Sequence, residues 1–198
     1  MASKKKPPGR TPPASASGTG IATLRVELAH IEPLIWRRIQ VPWDISLPKL
    51  HRVLQRVMGW QDSHLHAFQI GSVEFGIPDE ADELGMKDER RVRLDQALGK
   101  SVREFSYIYD FGDHWEHRLV VEEIGPAEPD RPCPLCLAGE RACPPEDVGG
   151  PPGYANFLAG IRQPDHPEHE EILRWIGGAF DPEGFDLNSV NRALRGQS

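Results

Sequence analysis

The sequence predicts an α+β domain over residues 21–198: an antiparallel sheet, one long helix after the first two strands, and short C-terminal helices. Three observations predict it. Two apolar–polar alternating runs occupy 21–31 and 34–42, an apolar repeat of helical spacing follows at 47–58, and a block of helical spacing broken by Pro and Gly closes the chain.

In IATLRVELAHI and LIWRRIQVP the alternation and β-rich composition predict two adjacent antiparallel strands, broken at Glu32 and Pro33. Strand side chains alternate between faces, so Arg37 shares its face with Ile35, Ile39 and Val41. A charge among apolar neighbours needs a partner, and Asp110 or Asp113 is the expected carboxylate. SLPKLHRVLQRVMGW then supplies Ser46 as N-cap, a first-turn proline, apolar Leu47, Leu50, Val53, Leu54, Val57 and Met58, and Gly59 as the stop.

HLHAFQIGSVEFG predicts strand, turn and strand. IPDEADELGMKDERR is too polar to bury and predicts a mobile charged loop. VRLDQAL predicts a short strand leading into a helical turn. EFSYIYDFGDHWEHRLVVEEI predicts a hairpin with its turn in DFGD, because Gly and Asp tolerate the positive φ of tight turns. Residues 125–153, crowded with Pro, Gly and Cys, predict an irregular loop. GYANFLAGIRQ, HPEHEEILRWIGG and DLNSVNRALRG predict three short helices.

The first twenty residues, MASKKKPPGRTPPASASGTG, hold four of the 23 basic side chains and no acid, and their composition predicts a disordered tail. Removing those four leaves 19 basic against 30 acidic groups, so the remaining chain carries −11 where the whole carries −7. An acidic body suits a phosphate backbone poorly, which argues against nucleic-acid binding. No run of about 20 apolar residues suits a membrane span, and the N-terminus lacks a secretory apolar region. Three cysteines and these absences predict a reduced, cytoplasmic protein without a membrane partner.

Chemistry concentrates in YIYDFGDHWEH at 107–117. Alternation turns Trp115, His117, Leu119 and Val121 to one face, with His117 inward. Asp110, Asp113, His114 and His117 are the candidate catalytic residues, because a carboxylate beside an imidazole fixes its tautomer and raises its basicity. The plainer reading is a hydrogen-bonded core histidine beside turn aspartates. The string DFG is not the kinase motif here, since no Gly-rich loop, strand lysine or HRD loop accompanies it. His64 and His66, two apart on a strand, are expected to share a face as binding or zinc-ligating groups. Arg37, Tyr109 and Trp115 complete the binding candidates. CPLCLAGERAC places Cys133, Cys136 and Cys143 as C-x2-C-x6-C, a thiolate set for zinc that needs a fourth ligand from His114, His117, His166 or His169. ACPPEDVGGPPGY lacks the phosphate-loop pattern and reads as a rigid turn before a helix at Tyr154.

PLIWRRIQVP, LHRVLQRVMGW with HLHAF, YIYDFGDHWEHRLVVE, CLAGERACPPEDVGGPPGYANFL and HPEHEEILRWIGGAFDPEGFDLNSVN are similar to the plasmid pRiA4b ORF-3-like family. The resemblance spans residues 21 to 195. It implies an α+β domain in bacterial and archaeal proteins often encoded on plasmids and beside insertion elements, with no established catalytic activity. Many relatives carry a further cysteine where this chain has Val148, which weakens a family-wide cysteine metal site here.

Two functions follow as expectations. The first is a noncatalytic binding or accessory module, serving plasmid or insertion-element biology, with a groove by the DFGDHWEH hairpin for a protein or small polar ligand. The second is a metal-dependent hydrolase or nuclease using the hairpin acids and histidines. Whether those side chains converge in space separates them.

Overall fold

The computed structural model describes residues 20–78, 85–99, 101–128 and 130–196. The basic tail and the centre of the charged loop lie outside the described residues.

The chain runs β1 (Ile21–Leu28), β2 (Trp36–Pro42), α1 (Leu47–Met58), β3 (His66–Ile70), β4 (Val73–Gly76), β5 (Lys87–Asp88), α2 (Leu94–Leu98), β6 (Glu104–Tyr109), β7 (Trp115–Gly125), β8 (Leu135–Glu140), α3 (Gly150–Arg162), α4 (His169–Ile176) and α5 (Leu187–Arg195). The strands form one sheet in the order β5-β4-β3-β6-β7-β1-β2-β8. The expected antiparallel sheet needs correcting to a mixed one: β4 and β5 pair in parallel, while the other pairs are antiparallel. The helix after the first two strands has 12 residues and α3 has 13, so the helix expected to be long is not the longest.

One face of the sheet is buried and the other is wet, as alternation along antiparallel strands dictates. Ala22, Leu24, Val26 and Leu28 of β1 point inward with Ile39 and Val41 of β2 and Leu119 and Val121 of β7. The outer face carries an ion-pair ladder: Arg118 bridges Glu27 and Glu104, and Arg38 meets Glu122. Helix α1 contributes Leu47, Leu50, Val53, Leu54 and Val57 to the core, and Gly59 ends it in a left-handed conformation (φ 93°).

Two expectations fail in the irregular regions. Residues 135–140 form edge strand β8 against β2, because Cys136 can face inward opposite Ile39 while the strand's outer edge is covered. The cover comes from α5: Asn191 accepts from the Cys136 amide and donates to its carbonyl, both at 2.9 Å, completing the edge as a further strand would. In the charged loop Glu89 is 2% exposed, because its carboxylate meets the buried His66 imidazole. Among the described residues no helix is long and apolar enough to cross a membrane.

Candidate metal centre

The DFGD segment makes the β6–β7 turn. The residues that take positive φ are Asp110 (57°) and His114 (54°) rather than Gly112. Asp110 Oδ1 accepts from the amides of Gly112 (2.9 Å) and Asp113 (3.3 Å), so local hydrogen bonds hold the turn and leave Oδ2 free to face outward.

Two other segments dock on this turn. After α1 the chain is strapped down by the Asp62 amide on Gln55 Oε1 (2.9 Å), the Ser63 amide on the Tyr109 hydroxyl (2.9 Å), and the Asp110 amide on the Leu65 carbonyl (2.9 Å). His64 is thereby held beside Asp110. The second segment is the loop before α3. Its Gly149 amide donates to Asp113 Oδ2 at 3.0 Å, and Gly150 (φ 67°) lies so close that a Cβ would collide with the Asp113 carbonyl oxygen. Contact of that kind anchors the loop in which Glu146 and Asp147 lie, three and two residues before Gly149.

The result is one imidazole nitrogen facing three carboxylates. His64 Nε2 stands 3.0 Å from Asp147 Oδ1, 3.6 Å from Asp110 Oδ2 and 3.8 Å from Glu146 Oε2. That nitrogen is buried and has no hydrogen-bond partner. Among the described residues, His64, Asp110 and Asp147 are the only three His, Cys, Asp or Glu side chains whose ligand atoms all lie within 4.8 Å of one another. Glu146 stands just behind: its Oε1 accepts from the Gln61 amide (2.8 Å), and the Tyr109 hydroxyl donates to both its oxygens (3.1 and 3.2 Å). Burial, with Glu146 adding to it, pushes the Tyr109 hydroxyl up to about 12, so it serves as a donor. Leu65 and Phe111, the chain neighbours of His64 and Asp110, are both substantially exposed.

One nitrogen and two or three carboxylate oxygens suit Zn²⁺ or Mn²⁺, and the exposure of Asp147 leaves one side open to solvent. Of the residues at this cluster, His64, Tyr109 and Asp110 were among the sequence candidates. Glu146 and Asp147 were missed in a loop read as a rigid turn, although two adjacent acids before a double glycine were the available signal.

A match to the plasmid pRiA4b ORF-3-like protein family covers residues 20–189. The chain belongs to the plasmid pRiA4b ORF-3-like family. It is 42% identical over 176 residues to the uncharacterized protein y4hQ of Sinorhizobium fredii (strain NBRC 101917 / NGR234), covering 88% of this chain and 90% of that one. The crystal structure of MM3350, a protein of unknown function from Methanosarcina mazei Go1, matches with a TM-score of 0.79 at 35% identity, covering 85% of this chain and 96% of that one.

In this pRiA4b ORF-3-like protein the other candidate residues lie apart from the cluster. His117 points inward as alternation predicts and is fully buried. Its Nδ1–H faces the carbonyls of Trp115 (3.0 Å) and Tyr107 (3.2 Å), and burial depresses its pKa to about 4. His114 is exposed, Asp113 serves Gly149, and Trp115 is core, near Trp60 at a centroid distance of 6.0 Å. His64 and His66, expected side by side, go to different clusters. His66 stacks on His51 (3.5 Å between centroids, 4° between planes), and its Nε2 lies 3.1 Å from Glu89 Oε1. His51 Nε2 lies 2.7 Å from Asp62 and Nδ1 lies 2.8 Å from the Tyr107 hydroxyl, which also accepts from Gln55 (3.0 Å).

Arg37 is buried as predicted, but its expected pairing with Asp110 or Asp113 is incorrect. It donates at 2.8 Å to the carbonyls of Val57, Trp36, Glu140 and Arg141, and its guanidinium lies 4.5 Å from the Phe185 ring centre. Backbone carbonyls at the end of α1 and of β8 occupy the donors a carboxylate would have used. Cys133, Cys136 and Cys143 join no three-ligand group among the described residues. Cys133 lies near the Gln40 carbonyl and Cys136 near that of Ala138, and burial pushes Cys133 up to about 11 and Cys143 up to about 12.

Proposed function

We propose that the protein is a noncatalytic binding module that works through a divalent cation held by His64, Asp110 and Asp147. One observation carries this reading: a buried, hydrogen-bond-free imidazole nitrogen lies within 3.0 to 3.8 Å of three carboxylates. Like charges gathered this closely repel one another, and a cation among them removes that repulsion and satisfies the nitrogen. The cation's open side, with exposed Leu65 and Phe111 next in the chain to two of its ligands, presents a coordination position to a small polar ligand or a polar side chain of a protein partner. On this reading the protein serves plasmid or insertion-element biology as a cytoplasmic accessory factor, which its membership of a plasmid ORF-3-like family supports.

A metal-dependent hydrolase is the second reading, and Glu146 favours it. It sits beside the ligand triple, held by Tyr109 and the Gln61 amide, where a proton acceptor for an activated water belongs. The two readings separate in one experiment. Chelator-stripped protein is reloaded with Zn²⁺ or Mn²⁺, its metal content is measured, and hydrolysis of bis(4-nitrophenyl) phosphate is followed. The binding module takes up one equivalent, loses it in His64→Ala, and shows no turnover. Metal-dependent turnover abolished in Glu146→Gln establishes the hydrolase instead, and absence of uptake removes both.

A further inference from the structure

A groove that shares no residue with the His64–Asp110–Asp147 cluster has the opposite electrostatic character. It is about 680 Å³ and is formed where the first half of α1, the start of α2, the last turn of α5 and the Pro132–Pro134 turn meet. Lys49, Arg52, Arg93 and Arg195 line it, against Asp44 as the only lining acid among the described residues. Arg93 is held by Asp95 at 3.0 Å, whereas Lys49, Arg52 and Arg195 have no carboxylate within 4.0 Å among the described residues. Elsewhere Arg25, Arg38, Arg118 and Arg141 each have a carboxylate partner, whereas Arg56, Arg91, Arg103 and Arg174 have none among the described residues but do not line this groove. In a chain whose acids outnumber its bases, three exposed and uncompensated cations converging from two helices are a local inversion of charge.

The groove has a second property. Its floor is apolar, made by Ile45, Val53 and Leu194, all buried. Lys49 and Arg52 are three apart and so project from one side of α1 over that floor, with Arg195 reaching in from α5. An apolar floor under a cationic rim, in a volume within the roughly 300–1,000 Å³ of small-molecule sites, fits a ligand with a flat apolar body and several negative charges. Three free cations match a di- or triphosphate better than a single carboxylate. The overall negative charge, and convergence rather than a stripe, disfavour an extended nucleic acid.

We propose that this groove binds an organic polyphosphate, a small molecule carrying two or more phosphoryl groups on an apolar or aromatic body. The test is calorimetric titration of the full chain in EDTA, which keeps metal-cluster chemistry out, with ATP and inorganic tripolyphosphate as probes and adenosine as control. ATP and tripolyphosphate bind the unmodified protein and His64→Ala alike, bind more weakly as salt rises, and lose at least tenfold in affinity in Lys49→Ala/Arg52→Ala/Arg195→Ala. Arg195→Gln alone, at an exposed helix end, loses a few-fold and serves if the triple variant does not fold. Absence of binding by both probes overturns the proposal, as does unchanged affinity in the folded variants. Binding of a 20-nucleotide single strand without binding of ATP overturns it in favour of nucleic acid.

Discussion

At the scale of single residues, His64 and His117 show two fates of an imidazole beside the same turn. His64, half-buried, holds a buried nitrogen that has no hydrogen-bond partner but faces carboxylates, whereas His117 is sealed in the core on backbone carbonyls. Burial holds the His117 pKa at about 4, below its ordinary value, so the folded state prefers the neutral ring. The sign follows: its contribution is fully present above the unfolded pKa of about 6.5 and is lost as pH falls from there toward 4, by roughly 3 kcal/mol in total. Urea unfolding at pH 7.5 and 4.5 should therefore show a larger loss in the native sequence than in His117→Asn, which keeps a donor near Nδ1. His51, also lowered chiefly by burial, adds to the same slope. Arg37 teaches a different lesson: its burial was legible from alternation, but its partners were not. They are carbonyls at two element ends that meet only in the folded chain.

At the scale of elements, the β6–β7 turn and the loop before α3 form one unit, joined by the Gly149 amide on the Asp113 carboxylate and by close packing of Gly150 on the Asp113 backbone. Gly150→Ala must both hold a strained positive φ and displace the Asp113 carbonyl. It should cost about 1–3 kcal/mol in thermal or denaturant unfolding and weaken metal binding, since Asp147 moves with the loop. The segment carrying Glu89 is a second docked element. Removing that carboxylate leaves buried His66 without its partner, so Glu89→Ala should destabilise by about 3 kcal/mol in urea titration, while Glu89→Gln, which keeps the contact, should cost less. The hairpin, α1 and the C-terminal helices were legible because each carries its own period or cap. β8, Glu89 and the Glu146–Asp147 pair were not. Each depends on a distant partner, Asn191, His66 or the turn at Asp113, and leaves no local periodicity to read.

At the scale of the whole molecule, the sheet divides the labour. Its inner face builds the core with α1, and its outer face is closed by ion pairs among Glu27, Glu104 and Arg118. The His64–Asp110–Asp147 cluster sits where the β6–β7 turn meets two loops, and the basic groove lies along α1 and α5, so the two share no residue. The central claim is that a cation belongs at the first of these. Its most direct measurement is a calorimetric titration of Mn²⁺ or Zn²⁺ into chelator-stripped full-length protein, alongside folded His64→Ala and Asp110→Asn variants. One equivalent binding to the native sequence, with affinity reduced at least tenfold in both variants, is the result predicted; no binding, or binding equal in all three proteins, contradicts it.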